Sequence, residues 1–387
     1  MTNDFQYFYK KGKNIALILL DSSSAFDTVD QYILLRKLEI NYGFKESALK
    51  LLESYFHSRK FSVKIGDTIS KHRNLKYGVP QGSLLGPLFY LLYTREIEEI
   101  VIKHDLYIQN YADDCQIYVP FLDHEKPIIE ERMERCLQDI QAWMRANFLK
   151  LNPQKTIVKL FKHSSSKISD FSVLGKPNTE APVKVLGAYF GSSCLKFNDF
   201  IARKVQGCSY HLRNLYNIKE SLDTNTRILL VTNLILSKLD YCNILLLGAT
   251  DQDLRPLRMV LNKSLRFIYT LKYREHITPY YKKSHFLPIR ERIQSKAALI
   301  AFKIYYGQAP SYFREDFVKF TATAGMTLRE SCGRDSYMFR IGLFEINSKV
   351  LFSKIILEWN ALPLQIRKVS SKALFKSKLK SFLFSKF

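Results

Sequence analysis

At 387 residues the chain is long enough for two or three domains. Its 47% hydrophobic content, with 27 Phe and 23 Tyr, excludes a disordered tail protein and permits packed cores. Lys and Arg outnumber Asp and Glu by a formal +23, with a pI near 9.6, which points to a polyanionic partner: nucleic acid ahead of a membrane surface. No apolar run reaches about 18 residues, so no membrane span is expected. Residues 15–20 form an apolar run that ends at Asp21, too short for a signal peptide. The six Cys include no CxxC pair, and Cys208-x-x-His211 lacks a second half-site, so reduced thiols of an intracellular protein are expected and not zinc.

In chain order, residues 15–20 (IALILL) are apolar on both parities, as in a central strand covered on both faces. The run ends at Asp21, followed by Ser22-Ser23-Ser24-Ala25-Phe26-Asp27. Asp21 there is a candidate metal ligand, while a helix cap, from it or the three serines, is the alternative. Residues 31–59 take helical spacing, broken at Asn41-Tyr42-Gly43. Residues 61–65 alternate like a strand and end at the Gly66-Asp67 turn. The segment GVPQGSLLGP (78–87) specifies a tight loop entering a helix over about 87–102. It suits either close approach to a ligand or simple entry to a core helix. No Gly-Lys-Ser/Thr follows, so it is not a P-loop.

Residues 106–121 read as a hairpin whose turn carries Asp113-Asp114. Two carboxylates about 4 Å apart repel by roughly 4 kcal/mol at an effective dielectric near 20. Either water screens a solvated turn or a divalent cation offsets the cost. Residues 128–148 form an amphipathic helix with Ile129, Met133, Leu137, Ile140 and Met144 on one face. LKLNPQKT (149–156) leads into a strand at 157–161, and Lys155 at that junction either reaches a phosphate or is a solvated residue. Residues 183–190 read as a strand pair broken at Gly187.

Beyond 190, residues 197–216 and 224–247 read as long helices. Arg255, Arg258, Lys263, Arg266, Lys272 and Arg274 interleave with Phe267, Tyr269 and Tyr273, which suits a grip on duplex backbone or ordinary core packing equally. Gly307, Pro310 and residues 321–326 mark loops. Residues 361–387 hold seven Lys or Arg and no acid, on a helical face of Phe375, Leu379, Phe382 and Leu383; this is a packed solvated helix or a nucleic-acid contact.

Taken together, the strand into DSSSAFDTVD, then GVPQGSLLGPLF, YADD, LKLNPQKT and VLGAYF resemble, in order and spacing, reverse transcriptases of non-LTR (LINE-type) retrotransposons, the jockey-like group especially. The ending around WNALP and Ile366-Arg367 is similar too. The resemblance implies an RNA-directed DNA polymerase of the α+β class. Its palm, over 1–192, is built on a mixed or antiparallel sheet; a helical thumb-like region at 193–275 and a basic helical module at 276–387 follow. It places Asp21, Asp113 and Asp114 as catalytic carboxylates holding two Mg²⁺, with Mn²⁺ as a substitute, and Lys155 near the leaving pyrophosphate. Phe26 falls at the gate against a 2′-hydroxyl, and Gln81 and Gly82 lie along template and incoming nucleotide. The implied partners are an RNA template, a DNA primer and deoxynucleotide triphosphates, with no membrane and a nuclear site of action. Ser24 stands where the family usually has Lys. The fingers segment expected before Asp21 and any endonuclease domain have no counterpart, so a truncated remnant that binds nucleic acid without polymerising is the alternative expectation.

Overall fold

A computed structural model describes residues 1–21, 26–57, 59–191, 197–317, 337–339 and 350–387; the expectations for Ser22, Ser23, Ser24 and residues 321–326 lie outside them. The described chain forms two compact units: Lys11–Ala181, and Met1–Lys10 together with Pro182–Phe387. The first helix, α1 (Thr2–Lys10), therefore belongs with the C-terminal unit, a long-range association that no local pattern encodes.

The Lys11–Ala181 unit is built on a four-stranded antiparallel sheet. Strand β1 (Asn14–Leu20) is central, and its predicted double coverage holds: Ala16, Ile18 and Leu20 on one face and Ile15 and Leu17 on the other are all buried. Helices α2 (Gln31–Tyr42) and α3 (Glu46–Phe56) follow. Asp30 caps α2 by accepting from the Ile33 N–H at 2.9 Å, so neither Asp21 nor the serines are needed for that task. Gly43 ends the helix at φ 71°, the left-handed conformation that glycine adopts without a Cβ penalty.

Four two-residue strands come next: β2 (Lys60–Phe61), β3 (Lys64–Ile65), β4 (Thr68–Ile69) and β5 (Arg73–Asn74). The strand expected over 61–65 is thus split, because β2 pairs with β5 and β3 with β4. The helix expected over 87–102 is broken at Arg95 into α4 (Gly86–Thr94) and α5 (Glu96–Lys103). Strands β6 (Tyr107–Tyr111) and β7 (Asp114–Phe121) form the predicted hairpin. Helix α6 (Lys126–Ala146) buries Ile129, Met133, Leu137, Ile140 and Met144 as read from their spacing. Those residues share one core with Ala16, Ile18, Leu20, Ile117, Val119 and Phe121. Each such burial contributes roughly 1.5–3 kcal/mol, which fixes the sheet on its helices.

Strand β8 (Ile157–Phe161) pairs with the other edge of β1. It carries a buried Lys159, whose ammonium donates to the carbonyls of Thr179 (2.9 Å), Glu180 (3.3 Å) and Ala181 (3.2 Å). A buried charge is tolerated where its donors are satisfied in this way. The small pair β9 (Ser172–Val173) and β10 (Lys176–Pro177) completes the unit.

In the other unit, β11 (Val183–Val185) and β12 (Ala188–Phe190) form the expected pair around Gly187, whose absent Cβ makes room for the Tyr241 ring. Helix α7 (Asn198–Asn217) matches its reading, but the helix expected over 224–247 does not run through. It consists of α8 (Thr224–Val231), a π-helical turn at Thr232–Leu236 and α9 (Ser237–Asp240). Helix α10 (Asp251–Tyr269) starts at a Thr250–Asp253 capping box, and α11 (Thr278–Lys283) and α12 (Ile289–Tyr305) follow. The helices Leu351–Asn360 and Lys372–Ser385 close the unit around Trp359, which stacks on Tyr305 and contacts Phe375. Helix α12 packs against both α10 and Leu351–Asn360, so the division expected near residue 275 crosses a continuous packing. Helix α1 joins through buried Phe5 and through Asn3, which accepts from the Phe352 N–H at 3.0 Å.

Candidate active site

Asp21 follows the last residue of β1, and Asp114 opens β7, its antiparallel neighbour. Their ladder ends on the pair Leu20–Cys115; one step further, the same register leads to Asp21 and Asp114. Across the β6–β7 hairpin Asp114 pairs with Tyr111, which leaves Ala112 and Asp113 as a two-residue loop. Ala112 sits at φ 53°, a conformation that costs an L-residue about 1–2 kcal/mol. The strain is local to the turn that carries Asp113. Asp113 and Asp114 are exposed; Asp21 is 35% exposed.

Sheet register therefore brings Asp21 and Asp114 together, while Asp113 lies one residue outside the ladder. Among the described residues no three His, Cys, Asp or Glu side chains converge as a metal-ligand group. The chemistry of the pair nevertheless fits a hard cation. Asp21 Oδ2 is buried and without a hydrogen-bond donor, and Mg²⁺ takes one or two carboxylates together with substrate phosphates. Desolvation pushes the neighbouring Cys115 thiol up to about 12, which leaves the carboxylates as the anionic donors.

Lys155 lies beside Asp21, with its ammonium 3.5 Å from Oδ2. Asn152 holds it there. The Asn152 N–H donates to the Asp21 carbonyl at 2.9 Å, and its side-chain oxygen accepts from the N–H groups of Gln154 (3.1 Å) and Lys155 (3.3 Å). The Asn152 carbonyl in turn accepts from the Thr156 N–H and hydroxyl. This side-chain-to-backbone turn is one of the reasons Asn favours loops. Lys176 clamps the same loop from its far side by donating to the Pro153 and Thr156 carbonyls. Sequence reading singled out Lys155 but missed Asn152; its place before Pro153 in a loop was the available signal.

The segment from Gly78 docks on the segment after Asp21. The Gly78 N–H donates to the Val29 carbonyl at 2.7 Å and Val79 N–H to the Phe26 carbonyl at 2.9 Å. At φ 86°, a Cβ on Gly78 would stand 2.9 Å from the Asp27 carbonyl oxygen and 3.0 Å from Asp27 Cα. Gln81 donates through Nε2 to Asp27 Oδ1 at 2.8 Å, a partner the sequence did not suggest. Gly82 has φ 77° and open space around it. The Phe26 ring packs on the core, 4.9 Å from Tyr90. Behind it Tyr93 accepts from the Asp30 N–H (3.4 Å) and donates to the Asn147 carbonyl (2.8 Å), with burial pushing its hydroxyl up to about 12.

The other basic stretches are placed less uniformly. Phe267 is core, whereas Tyr273 is exposed. Arg266 donates to the Lys272 and Glu275 carbonyls, so part of that charge caps a turn. In Lys372–Ser385, Phe375, Leu379 and Leu383 are buried and the lysines exposed, the packing of a solvated amphipathic helix.

One unit thus holds an aspartate at the end of one strand beside a carboxylate hairpin on its neighbour, a lysine loop tied to the first aspartate, and a glycine loop docked alongside. Residues 1–190 match the family described as reverse transcriptase (RNA-dependent DNA polymerase). Among similar proteins are the probable RNA-directed DNA polymerases of transposon BS (31% identical over 150 residues) and transposon X-element (34% over 111), both of Drosophila melanogaster. A third is the RNA-directed DNA polymerase from mobile element jockey of Drosophila funebris, 30% identical over 131 residues. The matches cover 37%, 28% and 32% of this chain but only 16%, 12% and 14% of those proteins. The resemblance to non-LTR retrotransposon reverse transcriptases is thus borne out. Among solved structures, apo telomerase from Candida tropicalis superposes with a TM-score of 0.39 at 11% identity, over 81% of this chain and 55% of that one.

Proposed function

We propose that the chain extends a DNA primer on an RNA template, joining deoxynucleotides to the primer 3′-hydroxyl at the β1–β7 site. The observation that carries this reading is the register that leads Asp21 of β1 to Asp114 of β7. Asp21, Asp114 and the adjacent Asp113 would hold divalent cations, Mg²⁺ by preference for oxygen ligands. Such cations, when bound, favour ionisation of the attacking hydroxyl and neutralise charge on the leaving oxygen. Lys155, on the loop fixed to the Asp21 carbonyl, supplies a further positive charge for the leaving pyrophosphate. Gln81 and Gly82 offer a polar side chain and an uncrowded backbone along the template and incoming nucleotide, and Gly78 sets their position. Phe26, whose ring packs 4.9 Å from Tyr90, would meet the sugar in this reading. Priming at nicked chromosomal DNA would place the reaction in the nucleus.

Primer extension on an RNA template tests this directly. The purified chain is expected to extend a DNA primer with deoxynucleotides in Mg²⁺, and Asp113→Asn or Asp21→Asn to slow it by orders of magnitude. Variant rates within threefold of the parent would refute the carboxylate assignment. Binding of primer–template without extension by the parent would favour the non-polymerising remnant.

A further inference from the structure

Residues 59–77 form one projecting ribbon. Leu75 N–H donates to the Arg59 carbonyl, β2 pairs with β5, Ser70 N–H donates to the Val63 carbonyl, and β3 pairs with β4 around Gly66-Asp67. Every residue from 60 to 74 is exposed. A lone two-stranded ribbon is marginal in water, and it is usually stabilised by something laid against it. This one offers two chemistries. Phe61, Val63, Ile65 and Ile69 are exposed by 47%, 53%, 77% and 60%, with Arg73 opposite Phe61. Lys60 and Lys64 are exposed among them, Lys64 opposite Ile69, and their long stems allow the ammonium groups to reach the rim. Between 59 and 77 there are six Lys or Arg (59, 60, 64, 71, 73 and 76) against the single acid Asp67. Tyr77, also exposed, stands at the root, immediately before the Gly78 loop that docks on Asp27.

We propose that this ribbon is a landing surface for single-stranded nucleic acid, with bases stacked on the Phe61 face and at Tyr77 and phosphates held by the rim cations. The excess of positive charge selects a polyanion over a protein strand, which would favour the apolar face alone. Stacking needs unpaired bases, and the deep, narrow groove of an A-form duplex does not admit the ribbon. The proposal rests on the polymerase reading only for the identity of the strand, template RNA approaching a site whose docked loop begins where the ribbon ends.

The test is binding of a labelled 12-nucleotide RNA to the full chain by fluorescence anisotropy at two salt concentrations. Because all the substituted positions are exposed, a circular-dichroism melt should leave the variants folded like the parent. Phe61→Ala is expected to weaken binding about 5-fold or more, the low end for losing one stacked base. Replacing Lys60, Lys64 and Arg73 together by Gln should flatten the salt dependence by about 2 in log–log slope, near 0.7 per lost phosphate contact on a single strand. A photo-crosslinking residue at position 65 should capture the RNA. Unchanged affinity and slope in both variants, or losses confined to duplex, would overturn the proposal. So would self-association abolished by Ile65→Lys, because it would make a second copy the occupant. Asp113→Asn should bind like the parent, so failed extension and failed ribbon binding are separate results.

Discussion

Gly78→Ala perturbs the join between the loop bearing Gln81 and the segment bearing Asp27 and Val29. An added methyl would lie 2.9 Å from the Asp27 carbonyl oxygen and 3.0 Å from both Asp27 Cα and the Phe26 carbonyl oxygen. All three are backbone atoms, so relief requires the two segments to separate. Holding an L-residue at φ 86° costs about 1–2 kcal/mol. Weakening the bonds from Gly78 to Val29 and from Val79 to Phe26 adds about 0.5–1.5 kcal/mol each. Restricting the unfolded chain returns about 0.4–1 kcal/mol. The net is a loss of roughly 1–4.5 kcal/mol, centred near 3, which is about 6–12 °C in the melting of a unit this size. Gly82→Ala is the matched control: its φ is also positive, at 77°, but no atom lies within 4 Å of the added methyl. Its cost should stay within about 1 kcal/mol. Differential scanning calorimetry on the two variants measures the gap. Equal shifts would mean that close approach to Asp27 does not set the requirement for glycine.

Phe26→Val separates two roles for one ring. If Phe26 meets the sugar, the variant should incorporate ribonucleotides at a raised ratio to deoxynucleotides; a folded variant with unchanged discrimination would leave Phe26 as a core residue against Tyr90. Lys204 yields a pH prediction. It is buried, donates to the Lys238, Leu239 and Tyr241 carbonyls, and burial lowers its pKa to about 8. Since that lies below the unfolded value near 10.4, the unfolded chain binds more protons between about pH 8 and 10.5, and stability from this group rises with pH through that window. Relative to Lys204→Met, the parent should gain stability between pH 7.5 and 10; parallel curves would show that the ammonium pays no burial penalty.

What could be read beforehand follows the range of the interactions. The β1 core strand, the face of α6 and the β6–β7 hairpin are periodic patterns within one segment, and they appeared as read. The meeting of Asp21 with Asp114 needed only two such strands to pair. Asn152, Asp27 and Gly78 were harder, because their roles lie in contacts with residues distant in sequence. In the ribbon, alternation suggested one strand over 61–65 and could reveal neither its split into two pairings nor that all of 60–74 is exposed. The π-helical turn at Thr232–Leu236 lies inside a strongly apolar run whose period does not change there. The role of Lys159 could not be read from its strand, because its three carbonyl acceptors lie some twenty residues further on.

The pairing of α1 with Leu351–Asn360 has a consequence for the order in which the molecule is made. Residues 2–10 leave the ribosome about 340 residues before their packing partner, Leu351–Asn360. At about 5–20 residues per second, Phe5 waits for tens of seconds with its ring uncovered, while everything needed for Lys11–Ala181 has already emerged. The unit bearing the carboxylates can close during synthesis. The unit of Met1–Lys10 and Pro182–Phe387 cannot, and through that interval the apolar face of α1 stays uncovered.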